Sequence, residues 1–403
     1  MRILPFAAIL AAGLLASASL HAADCGADGH PVVYVVGTGK AYVAALAKPL
    51  YTDASPITVV WIGTGSCTAV SGILTDQPIA PLVQTNPGTG TGFMFPPSGE
   101  TTCTIPTPDA GTPLLMDIAA SDVFATTCGN LPNGLPGNIG DFFGPAQAMG
   151  FIVPKASSQQ SISATAAYYI YGLGAPGGVA PWVDNNFIFK RAASSGTVQL
   201  ISAGIGVPAA KWKGTDGGLD KDIVQKVITS TQPEKTIGIL AQPFLNTDPQ
   251  LALQLNFLAY KHYGQQCAYY PDSSPTSKDK ANVRDGHYAL WGPVHFLARL
   301  DTNGNVRSAT TKRVVDYLTQ VSKPPGGLDL IQFDAANYLI PSCAMKVKRA
   351  TEVGPMSPFA PPNACGCYYE QVATGKTACK PCTGNQECTK DAPVCSYGFC
   401  EAQ

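Results

Sequence analysis

Charge is scarce in this sequence. Only 13% of the 403 residues are Asp, Glu, Lys or Arg, and they cancel to a net charge of −1. A chain so nearly neutral has no basic face with which to hold nucleic acid, so no nucleic-acid partner is expected. Long apolar runs are missing as well, with one exception. Met1 and Arg2 precede an apolar stretch over 3–20 with small residues near Ala22, the pattern of a signal peptide over 1–22. No later run reaches 18 apolar residues, so no transmembrane segment is expected in the mature chain. Cys25 follows Ala23-Asp24, whereas bacterial lipidation needs a small residue before the cysteine, which favours a soluble exported protein.

What is plentiful completes that picture. Hydrophobic residues make up 45%, with 41 glycines and 34 prolines, the composition of a compact, loop-rich, extracytoplasmic protein of two or three domains. All 13 cysteines follow the leader. In an exported chain they are disulfides first, and an odd number leaves one thiol over.

The central stretch is Lys190-Arg-Ala-Ala-Ser-Ser-Gly-Thr197. Strand-like residues 187–189 precede it, and Val198, Leu200, Ile201, Ala203 and Ile205 follow on one helical face. Ser194 and Ser195 stand where helix N-caps are favoured. Unpaired amides at a helix start, hydroxyls and the guanidinium of Arg191 together suit a tetrahedral oxyanion. The competing reading is an ordinary capped helix beside a surface arginine.

Two earlier units share one pattern. Residues 32–36 are a strand, followed by a glycine turn and a helix to about Leu50; 57–62 repeat the strand and 63–68 the turn, with a helix from Ala69. Gly39-Lys40 is not a nucleotide phosphate loop, because Tyr34 replaces the first glycine and Ala41 the magnesium-binding hydroxyl. Consecutive strand–turn–helix units predict a parallel sheet with ligand at the strand C-termini, where Ser66 faces the same crevice as Gly39 to Ala41.

Residues 77–113 read as a surface loop, including the glycines at 88, 90 and 92; Cys103 lies there, with Cys128 as its expected partner. Residues 114–119 resume the strand pattern and end at Ala120-Ser121-Asp122, where Asp122 is either a ligand group or, with Ser121, a helix cap. Further strands are expected at 148–154 and 236–240, and helices at 163–172, 218–228, 248–260 and 312–321. An extended segment is expected at 288–300, with His287 and His295 structural. The loop from Asp301 to Asn305 is a turn, since Lys312 stands where a calcium loop needs its closing acid.

Gly-x-Gly-Ser at 63–66, Ala-Ser-Asp at 120–122 and Arg-x-x-x-Ser-Gly-Thr at 191–197, in that order and setting, resemble the phosphate-binding proteins of ABC transporters. These belong to the type II periplasmic binding protein superfamily, and the likeness spans 31–345. It implies an α/β, two-lobed Venus-flytrap fold, with lobe 1 over 31–150 and 288–350, lobe 2 over 151–287, and crossings near Gly150 and Tyr288. It implies phosphate or a related oxyanion as ligand and an ABC permease as partner, with no cofactor and no metal. Lys40, Ala41, Tyr42, Ser66 and Asp122 would bind from the first lobe, and Arg191, Ser195, Gly196 and Thr197 from the second. Asp122 beside an anion makes sense if the ligand keeps a proton for it to accept; sulfate has none to offer and is rejected, while arsenate is not distinguished. The sequence departs from the family at Ala193, where an acid commonly steers the arginine, at Ala41, where a hydroxyl residue is usual, and in the long insertion before Asp122.

Residues 351–403 form a proline-rich link, near 356–363, and a cysteine-rich tail: Cys365, Cys367, Cys379, Cys382, Cys388, Cys395 and Cys400. A small separate disulfide module is expected, with zinc at Cys379 and Cys382 the competing reading and a redox pair less favoured. Transport-type binding proteins do not need such a tail. It suggests a cell-surface partner, and hence an alternative function as a surface or matrix protein with a weakened site. A phosphate-ester hydrolase using Ser66 or Ser195 is disfavoured, because no histidine base or metal cluster accompanies either serine, so no enzyme activity is expected.

Overall fold

The computed structural model describes residues 23–402 apart from 80, 81, 83–90, 107–112, 130, 132 and 247–249. The leader at 1–22 therefore lies outside the described residues, as do Gly88 and Gly90.

The two early units form as their apolar periodicity dictates. Strands β1 (Val32–Gly37) and β2 (Thr58–Gly63) lie parallel. They lead into helices α1 (Lys40–Tyr51) and α2 (Ser66–Leu74). The mostly buried apolar runs of these strands fit a sheet covered on both faces. On one side β1 pairs in parallel with β5 (Ile118–Ser121). On the other, β3 (Thr91–Met94) and β4 (Thr101–Thr104) extend the sheet beyond β2 as an antiparallel pair. The expected surface loop is thus partly sheet: Gly92 lets β3 approach closely, since a Cβ there would stand 2.7 Å from Val60 and 3.0 Å from Cys25 Sγ.

The lobes are joined by β6, which runs without interruption from Ile139 to Pro154. Its first part, to Ala148, pairs with β10 (Trp291–Arg299), which also pairs with β5. From Met149 onward it pairs instead with β8 (Gly238–Ala241) and then β9 (Leu255–Phe257). The chain returns beside this switch: Met149 N donates to Leu290 O at 2.9 Å, and the Tyr288 hydroxyl donates to Met149 O at 2.6 Å. Gly150 is needed there, because a Cβ would stand 2.5 Å from that hydroxyl. The two-lobed α/β architecture is the expected fold class. The second lobe carries β7 (Phe189–Lys190) and helices α4 (Ala164–Leu173), α5 (Gly196–Ile205) and α6 (Asp220–Ile228); the short α3 (Ala125–Cys128) belongs to the first.

Three expectations need correction. Residues 248–260 are not one helix: a short turn of helix, Leu251–Gln254, leads into β9 and a further strand, Ala259–Lys261. The strand forms because residues 255–257 complete the edge of β6, pairing antiparallel with 152–154. Cys103 pairs with Cys25, and Cys128 with Cys67. The N-terminal segment lies alongside β4, with Cys25 N donating to Thr104 O at 2.8 Å, which places Cys25 opposite Cys103.

The tail is anchored rather than separate. Cys365 is bridged to Cys343 outside it, and helix α9 (Gly366–Thr374) packs on α8 (Leu330–Ala336). Tyr369 is fully buried in the largest core cluster, which draws residues from both lobes, its hydroxyl bonded to Leu339 O at 3.0 Å. Cys367–Cys379, Cys382–Cys395 and Cys388–Cys400 close the remainder. The sulfurs of Cys382, Cys388 and Cys400 lie within 4.8 Å of one another, but bridged sulfurs are not thiolates and this triplet is not a zinc site. Cys267 is the free, exposed thiol. No helix among the described residues is long and apolar enough to cross a membrane.

Candidate oxyanion site

The N-termini of α1, α2 and α5 come together where the lobes meet. Their N-cap residues are Gly39, Gly65 and Ser195, and none of the three provides a side-chain cap. Contact between the lobes is direct. Cys67 N donates to Ser194 O at 3.3 Å, and a Cβ on Gly65 would stand 2.9 Å from the same oxygen. A Cβ on Gly196 would stand 2.5 Å from Ser66 Oγ and 2.6 Å from Asp122 Cβ. Glycine is required on both sides for this approach.

Asp122 lies at the centre of the first-lobe half, buried just beyond the end of β5. Its Oδ2 accepts from Ser66 Oγ at 3.2 Å, and its own N–H donates back to that oxygen at 3.1 Å. Its Oδ1 accepts from Gln147 Nε2 at 2.6 Å. Burial pushes its carboxyl above the usual range, opposed by hydrogen bonds from Gln147, Thr38 and Ser66 and by the charge of Arg191. Asp122 caps no helix, since α3 begins after Phe124. Ser121 instead bonds to the main chain of Val123.

The second lobe contributes Arg191, Ser195, Gly196 and Thr197. NH1 of Arg191 meets Asp220 Oδ2 at 2.7 Å, with side-chain exposures of 18% and 22%. Asp220, the first residue of α6, supplies in space the acid that Ala193 lacks in sequence. Burial raises its carboxyl, Arg191 opposes that, and Asp122 adds to it. Arg191 Nε, Ser195 Oγ and Thr197 Oγ1 are all buried without a hydrogen-bond partner. Asp220 Oδ1 is unpartnered as well, and leaving such atoms unpaired costs on the order of 1–3 kcal/mol each, a cost that a bound group or water would relieve.

The first turn of α1 is used differently. Lys40 pairs with Glu100 at 2.6 Å and lies 3.7 Å over the Phe93 ring, away from Asp122. The Tyr42 hydroxyl donates to Leu318 O at 2.9 Å in the core, and Ala41 is exposed. Neither Lys40 nor Tyr42 turns its side chain to the site, so main chain is what this turn can offer. Thr38, just past the end of β1, carries the hydroxyl in this turn that favours the ionised form of Asp122. The sequence reading missed Thr38, Gln147 and Asp220. Thr38, inside the glycine turn, was the one with a visible signal.

No family model and no curated protein matches this chain. Solved structures resemble it at low identity. One from Clostridium perfringens, described as a phosphate ABC transporter substrate-binding protein with bound phosphate, is 13% identical at a TM-score of 0.49, covering 77% of this chain and 99% of that one. An ABC-type phosphate transport receptor from Vibrio cholerae is 12% identical at 0.45, covering 72% and 94%. The ancestral soluble variant of the human phosphate binding protein is 12% identical at 0.45, covering 77% and 90%. At these scores the likeness says nothing about ligand; the two-lobed fold rests on its own strand order and crossings.

Proposed function

We propose that this chain is an exported solute-binding protein that encloses a tetrahedral oxyanion, phosphate first, between its lobes and does not transform it. The observation that carries this reading is the cluster of unpartnered buried groups, Arg191 Nε, Ser195 Oγ and Thr197 Oγ1, on the lobe facing Asp122 and Ser66. Charge favours a protonated ligand. Arg191 stands against two carboxylates, Asp122 and Asp220, so with both ionised the cluster already carries excess negative charge. A fully ionised anion adds to that repulsion, whereas one that donates a proton to Asp122 is paired. The six disulfides fit an oxidising compartment outside the cytoplasm.

An ABC permease is the partner that such binding would serve. A second role, retention at a cell surface, is favoured by one observation: all seven tail cysteines are bridged and the tail is anchored in the core, so it is a fixed platform. Thermal melting in matched buffers tests the ligand. Phosphate in hundredfold excess over its Kd stabilises by about 2.7 kcal/mol and raises the midpoint, while sulfate leaves it unchanged. Equal midpoints in both anions would sink the proposal.

A further inference from the structure

Gln147 lies in β6, just before that strand leaves the first-lobe sheet, and is 5% exposed. Its position is fixed from both sides, by Gly292 of β10 and by Leu339 of β11 (Leu339–Ile340). From this fixed point its side chain reaches Asp122 Oδ1 at 2.6 Å. Nothing in the surrounding sequence, Pro145-Ala-Gln-Ala-Met149, marks it for this contact.

An ionised carboxylate only accepts, and it has about four places for donors. In Asp122 the protein fills two at hydrogen-bond distance, Gln147 at Oδ1 and Ser66 at Oδ2, and the Thr38 side chain also favours the ionised form. The charged groups facing Asp122 are Arg191, which favours the ionised form, and Asp220, which opposes it. We infer that Gln147 is a positioning residue that presents Asp122 as a hydrogen-bond acceptor with a place left open to a ligand, set from the strand that joins the lobes. The identity of the ligand that fills that place rests on the oxyanion reading; the effect of Gln147 on Asp122 needs no ligand.

The sign of the effect follows. Removing the amide takes one donor from the ionised form, so the Asp122 carboxyl moves further up. Below its midpoint a protonated Asp122 cannot accept the ligand's proton, so phosphate affinity is lost on acidification at a higher pH than in the wild type. The experiment uses the full chain with two substitutions. Gln147→Met removes the donor at similar size. Gln147→Glu sets two carboxyls close enough to share a proton and raises the midpoint further. Carbon-13 NMR follows the Asp122 carboxyl in ligand-free protein, assigned by its loss in Asp122→Asn, and calorimetry follows phosphate affinity against pH. The expected order of midpoints is wild type, then Met, then Glu. Affinity in the Met variant falls by roughly 10- to 100-fold at neutral pH, with its acid limb displaced in the same direction. Unmoved midpoints in both variants would overturn the inference, as would a pH-independent loss of affinity. If the wild type binds no phosphate, the oxyanion reading falls alone and the ligand-free midpoints still decide the role of Gln147.

Discussion

Ser195 and Ser308 occupy the same position at the starts of two helices and do opposite things. Ser308 caps α7 (Ala309–Leu318), its hydroxyl accepting from Thr311 N at 3.3 Å. Ser163 caps α4 and Asp329 caps α8 in the same way. Ser195 begins α5 with similarly extended backbone, yet its hydroxyl caps nothing and is buried without a partner. Gly39 and Gly65 leave the other two cleft-facing helices equally without side-chain caps. Not every helix outside the cleft is capped by its own N-cap side chain, since α3 and α9 are not, but Cys367 N of α9 finds Glu401 at 2.7 Å, whereas Ser195 at the cleft keeps a buried hydroxyl without a partner. Local sequence does not distinguish the two cases; placement between the lobes does.

The largest test of that contrast removes the charge at its centre. Arg191→Met alone would leave the half-buried Asp220 unpaired, so it is combined with Asp220→Asn. The double variant is expected to lose about a thousandfold or more in phosphate affinity by calorimetry, while unfolding stability stays within about 1 kcal/mol. Retained tight binding would break the comparison.

Gly196→Ala comes next. Its methyl group would collide with Ser66 and Asp122, so the lobes cannot approach. Roughly 100-fold weaker binding is expected, on the scale of 1–3 kcal/mol for overpacking. Small-angle scattering should show a more open molecule with unchanged secondary structure.

The smallest and sharpest test exchanges the two serines' fates. Ser308→Ala should cost about 1 kcal/mol of stability in chemical denaturation and leave binding untouched. Ser195→Ala should cost no stability and reduce affinity about tenfold. Matching effects from both substitutions would show that Ser195 is an ordinary cap.

The parts of this fold that sequence revealed are those set by short-range periodicity. The units at 32–51 and 57–74, and the serine–glycine–threonine start of α5, carry their pattern within a few turns of chain. The long strand β6 was seen only from Ala148, because two glycines, Asp141 and Pro145 interrupt the apolar pattern over 139–145, and Asp141 is there to meet the buried His295. Asp220 and Gln147 were invisible because their partners are distant in sequence and their own neighbours carry no motif. The tail was misjudged for a similar reason. Its cysteines suggested a self-contained knot, but Tyr369 and the bridge from Cys365 to Cys343 insert its first helix into the large shared core.

The proposed oxyanion site depends on Asp122 accepting a proton that only some oxyanions bring. It is tested most directly by calorimetric competition of phosphate and sulfate, in wild type and Asp122→Asn, at one neutral pH and ionic strength. The account predicts that the wild type binds phosphate and refuses sulfate. The asparagine variant, with its charge removed and a donor added, should narrow that gap chiefly by admitting sulfate, by up to several kcal/mol. No phosphate binding by the wild type, or equal sulfate binding by the two proteins, would contradict it.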